Sequence, residues 1–143
     1  MFVSARARIG VLAVSVLALA SACLPLNGQE NHLFAQTNQL RTRHGLPALG
    51  HHDDLVRSAR SWAQTLAARG QLAHSDLGSL SVRWSAAAEN VGRSGSIEDI
   101  TARLQASPSH RQNMLSSKYT HTGIGTARAK DGTVYAVQLF LRN

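Results

Sequence analysis

The segment from Ser107 to Leu115 carries the histidine with the clearest chemical potential in this sequence. Its pattern predicts the start of a helix, with Ser107 as the cap and Pro108 at the first helical position. His110 then falls near the third position, where free amide donors and the positive end of the helix dipole lie. This environment favours a neutral imidazole, which can ligate a metal or accept a proton. Its role therefore depends on the side chains that the fold brings opposite it.

The sequence lacks the common motifs of nucleophilic and metallopeptidase catalysis. There is no G-x-S-x-G elbow and no H-E-x-x-H helix motif, and Glu89 has no evident second carboxylate for glycoside hydrolysis. His51 and His52 precede a predicted helix, so we expect a solvated pair rather than a metal site. These observations favour binding over catalysis.

Residues 1–22 are typical of a bacterial secretory signal. Two arginines precede an apolar run that is shorter than the roughly 20 residues of a comfortable membrane span. The only cysteine, Cys23, directly follows Ala20-Ser21-Ala22, which resembles a bacterial lipobox with Ala20 in place of the usual leucine. We expect an exported protein, with Cys23 lipidated as a membrane anchor. Simple secretion and an uncleaved anchor are the alternatives.

The charge pattern argues against a nucleic-acid partner. The formal net charge is +7, or +5 without the two leader arginines Arg6 and Arg8. The remaining basic residues occur singly, without a basic run or interleaved aromatic residues. An exported protein with a net positive charge is suited to bind anionic cell-wall polymer or lipid headgroups. We expect a monomer that meets such a polymer, a lipid or an envelope protein at the cell surface.

After the leader, the pattern predicts a short tether over 23–30 and one domain over 31–143. Apolar residues at helical spacing predict four helices, the second capped by Asp53 or Asp54. Trp62 lies on the apolar stripe of that helix and is expected in the core. Trp84 is expected either to line a cavity or to close the core.

The end of the chain has the pattern of a β-hairpin. Two apolar segments flank Lys130-Asp131-Gly132, which is a turn signal. The last segment, over 133–140, is apolar on both faces, so a strand there needs a covering layer on each side. The sequence therefore predicts an α/β (α+β) fold, an α-β-α sandwich with a small antiparallel sheet between helical layers.

With these elements in place, the chain resembles the CAP superfamily of cysteine-rich secretory proteins, antigen 5 proteins and pathogenesis-related proteins, in its bacterial SCP-domain form. The resemblance runs from about Leu33 to Phe140 and rests on several short motifs in the family's order. These motifs are Asn38–Arg41, Gly45–Leu49, His74-Ser75, Glu89-Asn90-Val91, Ser107–Leu115, Gly123-Ile124-Gly125 and Val137–Phe140. Ser107 stands where eukaryotic relatives carry a further acidic residue.

The resemblance implies a cleft in which His74, Glu89 and His110 meet, with Ser107 and Arg111 beside them. Two imidazoles and a carboxylate are suitable ligands for a divalent metal such as zinc. The alternative is that these side chains only tie the fold together, with Glu89 accepting hydrogen bonds from His74 or from backbone amides. Arg111 is expected to pin loops to the helix start.

Three functions follow as hypotheses. The first is a non-enzymatic binding or scaffold module at the cell envelope. The second is a metal-dependent hydrolase that uses His74, Glu89 and His110, in which a metal lowers the pKa of a bound water. The third is lipid or sterol binding, an activity associated with some eukaryotic relatives. The small number of candidate catalytic residues favours the first hypothesis, the binding or scaffold module.

Overall fold

The computed structural model describes residues 23–143, and the predicted leader at 1–22 lies outside them. Helices and strands are mixed along this part of the chain. In order they are α1 (Gly28–Arg43), β1 (Gly50–His51), α2 (Asp53–Arg69), β2 (Ala86–Ser94), α3 (Ile97–Ala106), α4 (Pro108–Met114), β3 (His121–Arg128) and β4 (Val134–Arg142). None of the helices within 23–143 has the length and apolar character needed to cross a membrane.

The strands form one sheet in the order β1-β3-β4-β2. The predicted hairpin is confirmed, since β3 and β4 pair antiparallel around the turn at 129–133. β2 pairs antiparallel with the other side of β4, and the two-residue β1 runs parallel to β3. Every residue of β4 except Arg142 is buried, as expected for a strand that is covered on both faces.

Helices cover both faces of the sheet, which confirms the predicted α-β-α sandwich. On one side lies α2, whose apolar stripe meets alternate residues of β4. On the other side α1, α3 and α4 share a second cluster, whose buried members include Leu33, Ile100, Leu104, Met114 and Phe140. The core is therefore split by the sheet into two apolar layers.

The contact between α2 and β3 depends on two glycines. A Cβ atom at Gly125 would lie 2.1 Å from the backbone nitrogen of Arg60, and one at Gly123 would lie 2.3 Å from the Cβ of Leu55. Neither distance is compatible with a side chain. The Gly123-Ile124-Gly125 motif thus lets the helix backbone rest directly on the strand.

The N-terminal segment is docked against the domain. Helix α1 begins at Gly28, inside the predicted tether, because Asn27 and Glu30 form a reciprocal capping box. The buried Glu30 carboxylate also accepts two hydrogen bonds from Arg60, at 2.8 and 2.6 Å. The backbone nitrogen of Leu24 donates to Asp53 Oδ1 at 3.0 Å, so even the residue after Cys23 is held.

The start of α2 differs from the sequence prediction. Neither Asp53 nor Asp54 is the cap; His52 occupies that position and makes no side-chain capping bond. Asp53 lies in the first turn and accepts from Leu24 and from His51 Nε2 instead. His51 and His52 are both half-buried rather than solvated, and the His52 ring packs edge-on against His121.

The two tryptophans also differ from expectation. Trp62 is only partly buried; it packs against the α2 layer while its Nε1 donates to the carbonyl of Ala73 at 2.9 Å. Trp84 is 42% exposed and so does not close the core. A tryptophan on an apolar stripe can remain at the rim because its N–H needs a partner.

Candidate functional site

Glu89 is the buried anchor of the candidate site. It lies in the middle of β2, paired in register with Leu139 of β4, and its side chain is 2% exposed. Glu89 Oε1 accepts from His74 Nδ1 at 2.8 Å and from the backbone nitrogen of Ser75 at 2.9 Å. Its Oε2 accepts from the Ser75 hydroxyl at 2.5 Å. Both carboxylate oxygens therefore fasten the loop before a short 3₁₀ helix (Leu77–Ser79) to the sheet.

His74 depends on this carboxylate for its orientation. The contact to Glu89 engages Nδ1 and leaves Nε2 on the other side of the ring. The side chain is 65% exposed, in contrast to Glu89. The pair therefore presents an imidazole to solvent while its orienting carboxylate remains inside the fold.

His110 lies where the sequence predicted, at the third position of α4. Ser107 is the N-terminal cap residue and Pro108 is at the first helical position, but the Ser107 hydroxyl makes no capping bond. It lies 2.8 Å from His110 Nδ1 instead. Burial lowers the pKa of His110, and the nearby His74 lowers it further. His74 is thus close enough to affect the charge of His110, and each of the two rings is held at Nδ1.

A network of buried amides supports the backbone of α4. Asn90 Nδ2 donates to the carbonyl of His110 at 3.1 Å, and its Oδ1 accepts from Asn113 at 2.9 Å. Asn90 also contacts Gln138, whose amide donates to Thr37 of α1. Sequence reasoning placed Asn90 in a motif without assigning this role. Its only signal was a polar residue beside Glu89 in a largely apolar stretch.

Arg111, which was expected beside the cleft, makes its contacts elsewhere. Its guanidinium donates to the carbonyl of Gln105 at 3.3 Å and lies 3.3 Å from His44 Nε2. These partners lie at the ends of α3 and α1. Arg111 thus ties α4 to the ends of both helices.

A small cavity of about 200 Å³ lies beside His110. It is lined mostly by apolar side chains of β2 and α3, with Leu72 at one side and Ser107 at the other. Arg93 and Arg103 reach its rim. The cavity adjoins His110 but encloses little space.

The site supplies two free imidazole nitrogens rather than three metal ligands. Within residues 23–143, no three His, Cys, Asp or Glu side chains are grouped so that they could hold a metal ion. Glu89 belongs to the predicted ligand set, yet its oxygens are already hydrogen-bonded to His74 and Ser75. A carboxylate that orients a histidine through Nδ1 is a common outer-shell arrangement around metals. Glu89 fits that supporting position better than direct ligation.

Comparison with known proteins identifies the class to which this architecture belongs. The model of the cysteine-rich secretory protein family, CAP, matches residues 34–140. The chain therefore belongs to the CAP family, as its motifs suggested. A search of curated protein sequences finds no significant match.

Solved structures share the fold at low sequence identity. An outer surface protein from Borrelia burgdorferi is 17% identical, with a TM-score of 0.74 over 84% of this chain and 96% of that protein. An extracellular SCP-domain protein from Bacillus anthracis is 24% identical, with a TM-score of 0.70 over 82% of this chain but only 41% of that one. A zinc-containing structure of NaASP2 is 12% identical, with a TM-score of 0.61, and the match covers 83% of both chains.

Proposed function

We propose that this protein is an extracellular, non-enzymatic binding module of the cell envelope. The family and the fold support this proposal, and structural relatives include an outer surface protein and an extracellular protein. The leader and Cys23 would deliver the domain to the cell surface, either anchored by lipid or secreted. Its partner would be wall polymer, lipid or an envelope protein.

The observation that carries the non-enzymatic part is the hydrogen bonding of Glu89. A general base needs a carboxylate oxygen within reach of the proton that it abstracts. Here both oxygens accept bonds from the protein, and only 2% of the side chain is exposed. Glu89 is therefore poorly placed to activate water, which weakens the hydrolase alternative. The cleft retains two imidazoles as binding groups but no carboxylate oxygen that is free to act as the base.

We further propose that the cleft binds a divalent cation such as zinc through His74 and His110. Each ring is held at Nδ1, so each can offer Nε2 as a ligand. Zinc is known in a structure of the relative NaASP2. Two protein ligands leave the remaining positions to water, so we expect a weak, exchangeable site rather than a structural one.

Calorimetric titration with zinc, on protein purified without a histidine tag, tests this cation site. His74→Ala and His110→Ala are each expected to weaken binding at least tenfold, and Glu89→Gln to weaken it by about tenfold through misorientation of His74. His32→Ala in α1 is the matched control and should leave the affinity unchanged. An affinity that does not respond to either cleft variant would refute the assignment.

The lipid alternative finds less support in the shape of the site. The cavity beside His110 measures about 200 Å³, whereas pockets for drug-sized ligands are roughly 300 to 1,000 Å³. A sterol would need displacement of Leu72 or of α3. A lipid-transfer assay with labelled sterol is expected to show no transfer above a protein-free blank.

Binding to isolated envelope material tests the proposed function as a whole. Purified protein is incubated at physiological salt with wall fragments, lipid vesicles and solubilised envelope proteins, and the bound fraction is measured after sedimentation. Retention by at least one of these materials is expected. If none retains the protein, the proposal of an envelope-binding module is wrong.

A further inference from the structure

A large cavity of the described chain lies beyond the histidine cleft and shares only Arg93 with the cavity beside His110. It is an open groove of about 740 Å³ between the end of α2, the end of β2 and the β3–β4 turn. Arg69, Arg93 and Lys130 line it, together with the hydroxyl residues Ser94 and Thr133. We call this surface the hairpin groove.

The hairpin groove gathers much of the positive charge of the domain. Three cations and one acid, Asp131, line it, for a local charge of +2 out of +5 for residues 23–143. The arginines that pair with acids in this part of the chain lie elsewhere, at positions 57, 60 and 103. Asp131 accepts from the backbone nitrogen of Thr133 at 2.9 Å, which commits part of its carboxylate to the turn.

Arg93 is held in place by the protein. Its Nη1 donates to the carbonyl of Gly70 at 2.7 Å and lies 3.3 Å from the Tyr135 hydroxyl. These contacts use one nitrogen of the guanidinium, whose planar fork carries five N–H donors and matches phosphate oxygens bidentately. A fixed guanidinium loses less conformational entropy on binding than a mobile one. Arg93 is therefore the natural centre of an anion site.

The position of the groove indicates which anion it meets. Leu24, next to Cys23, is bonded to Asp53 at the first residue of α2, whereas Arg69 lies at its last residue. Helix α2 has 17 residues, so these ends are about 25 Å apart at 1.5 Å per residue. A membrane that held the chain at Cys23 would therefore face the end opposite the hairpin groove. The groove would point toward envelope polymer instead.

From this charge, geometry and placement we infer that the hairpin groove binds a linear phosphodiester polymer of the cell envelope. The groove is open to solvent and measures about 740 Å³, so it can admit part of a longer chain. Its one aromatic lining residue, Tyr135, is buried, so it offers no stacking surface for nucleic-acid bases. This inference rests on the proposed envelope-binding function and names the partner class of a second surface.

Binding of purified protein to poly(glycerol phosphate), measured by calorimetry at several salt concentrations, tests the inference. A triple variant, Arg69→Ser, Arg93→Ser and Lys130→Ser, is expected to bind at least tenfold more weakly. Each lost phosphate contact should also reduce the slope of log affinity against log salt by roughly 0.7 to 0.9, or about 2 to 3 for the three substitutions together. The matched control replaces three exposed cations elsewhere, Arg43→Ser, Arg83→Ser and Lys118→Ser, with the same change in net charge.

The control triple variant should bind within twofold of the unchanged protein. Equal losses in both triple variants would show that net charge, not the groove, attracts the polymer, and would overturn the inference. Tighter binding to phosphatidylglycerol vesicles than to the polymer would overturn it too. If wall fragments or envelope proteins bind while the phosphodiester polymer does not, the inference fails and the proposed function stands. If no envelope material binds, both fail.

Discussion

At the scale of single residues, His110 and His121 make folding dependent on pH. Burial lowers the pKa of each, and a neighbouring histidine, His74 or His52, lowers it further. The unfolded chain therefore takes up these protons at a higher pH than the native protein does. It follows that the free energy of unfolding falls as the pH drops below about 6.5, the ordinary histidine value, toward the native pKa.

Urea unfolding at pH 7.5, 6.5 and 5.5 measures this dependence. We expect lower stability at pH 5.5 than at pH 7.5, and a smaller difference in the variants His110→Gln and His121→Gln. Gln112→Ala, at an exposed neutral position of α4, should retain the full difference. If the histidine variants lose as much stability on acidification as the unchanged protein, these two residues do not govern the effect.

At the scale of elements, the contact between α2 and β3 sets a strict size limit. Gly125→Ala would place a Cβ 2.1 Å from the backbone nitrogen of Arg60, so the helix and strand must separate. We expect a loss of about 3 kcal/mol or more in unfolding free energy, at the upper end for an overpacked core. Denaturant titration measures it.

Gly95→Ala is the control for that substitution. A Cβ at Gly95 would meet no atom within 4 Å, and this glycine does not have a positive φ. Its replacement should change stability by about 0.5 kcal/mol or less. Equal effects at the two positions would mean that loss of glycine flexibility, not the close approach of α2, causes the destabilisation.

The same elements show where sequence reasoning succeeds. The apolar spacing of α2 and the double-faced pattern of β4 are local signals, and both elements form as predicted. β2 was not predicted, because Ala86–Ser94 lacks a clean alternation of apolar and polar residues. Its ends are largely half-buried and only its centre is fully buried. Its strand form comes from pairing with β4, a partner about 50 residues away in sequence.

The candidate site, like the fold, is predicted by local sequence patterns only in part, because some of its contacts join residues that are far apart in the chain. The third-position placement of His110 follows from Ser107 and Pro108, which are its neighbours in sequence. The bond between His74 and Glu89 joins residues 15 apart across a loop, and only family resemblance indicated it. The predicted capping bonds of Asp53 and Ser107 are absent for one reason. Each side chain is hydrogen-bonded to another group instead of to the helix amides.

At the scale of the whole molecule, a chain of buried amides connects elements that are far apart in sequence. Thr37 of α1, Gln138 of β4, Asn90 of β2 and Asn113 of α4 are linked by successive hydrogen bonds. The first three of these residues are 0% exposed. Buried amides that satisfy one another favour a single arrangement of their elements, because any shift leaves polar groups unpaired.

Asn90→Ala is expected to lower the free energy of unfolding by about 2 to 4 kcal/mol, since it removes partners from Asn113, Gln138 and the His110 carbonyl. Gln138→Ala should be coupled to it, with the double variant losing about 1 kcal/mol less than the sum. Gln112→Ala should be neutral. Because Asn90 also supports α4 at His110, the Asn90→Ala variant should bind zinc more weakly. If the losses in unfolding free energy are additive in the double variant and the zinc affinity is unchanged, the amides act independently of the cleft.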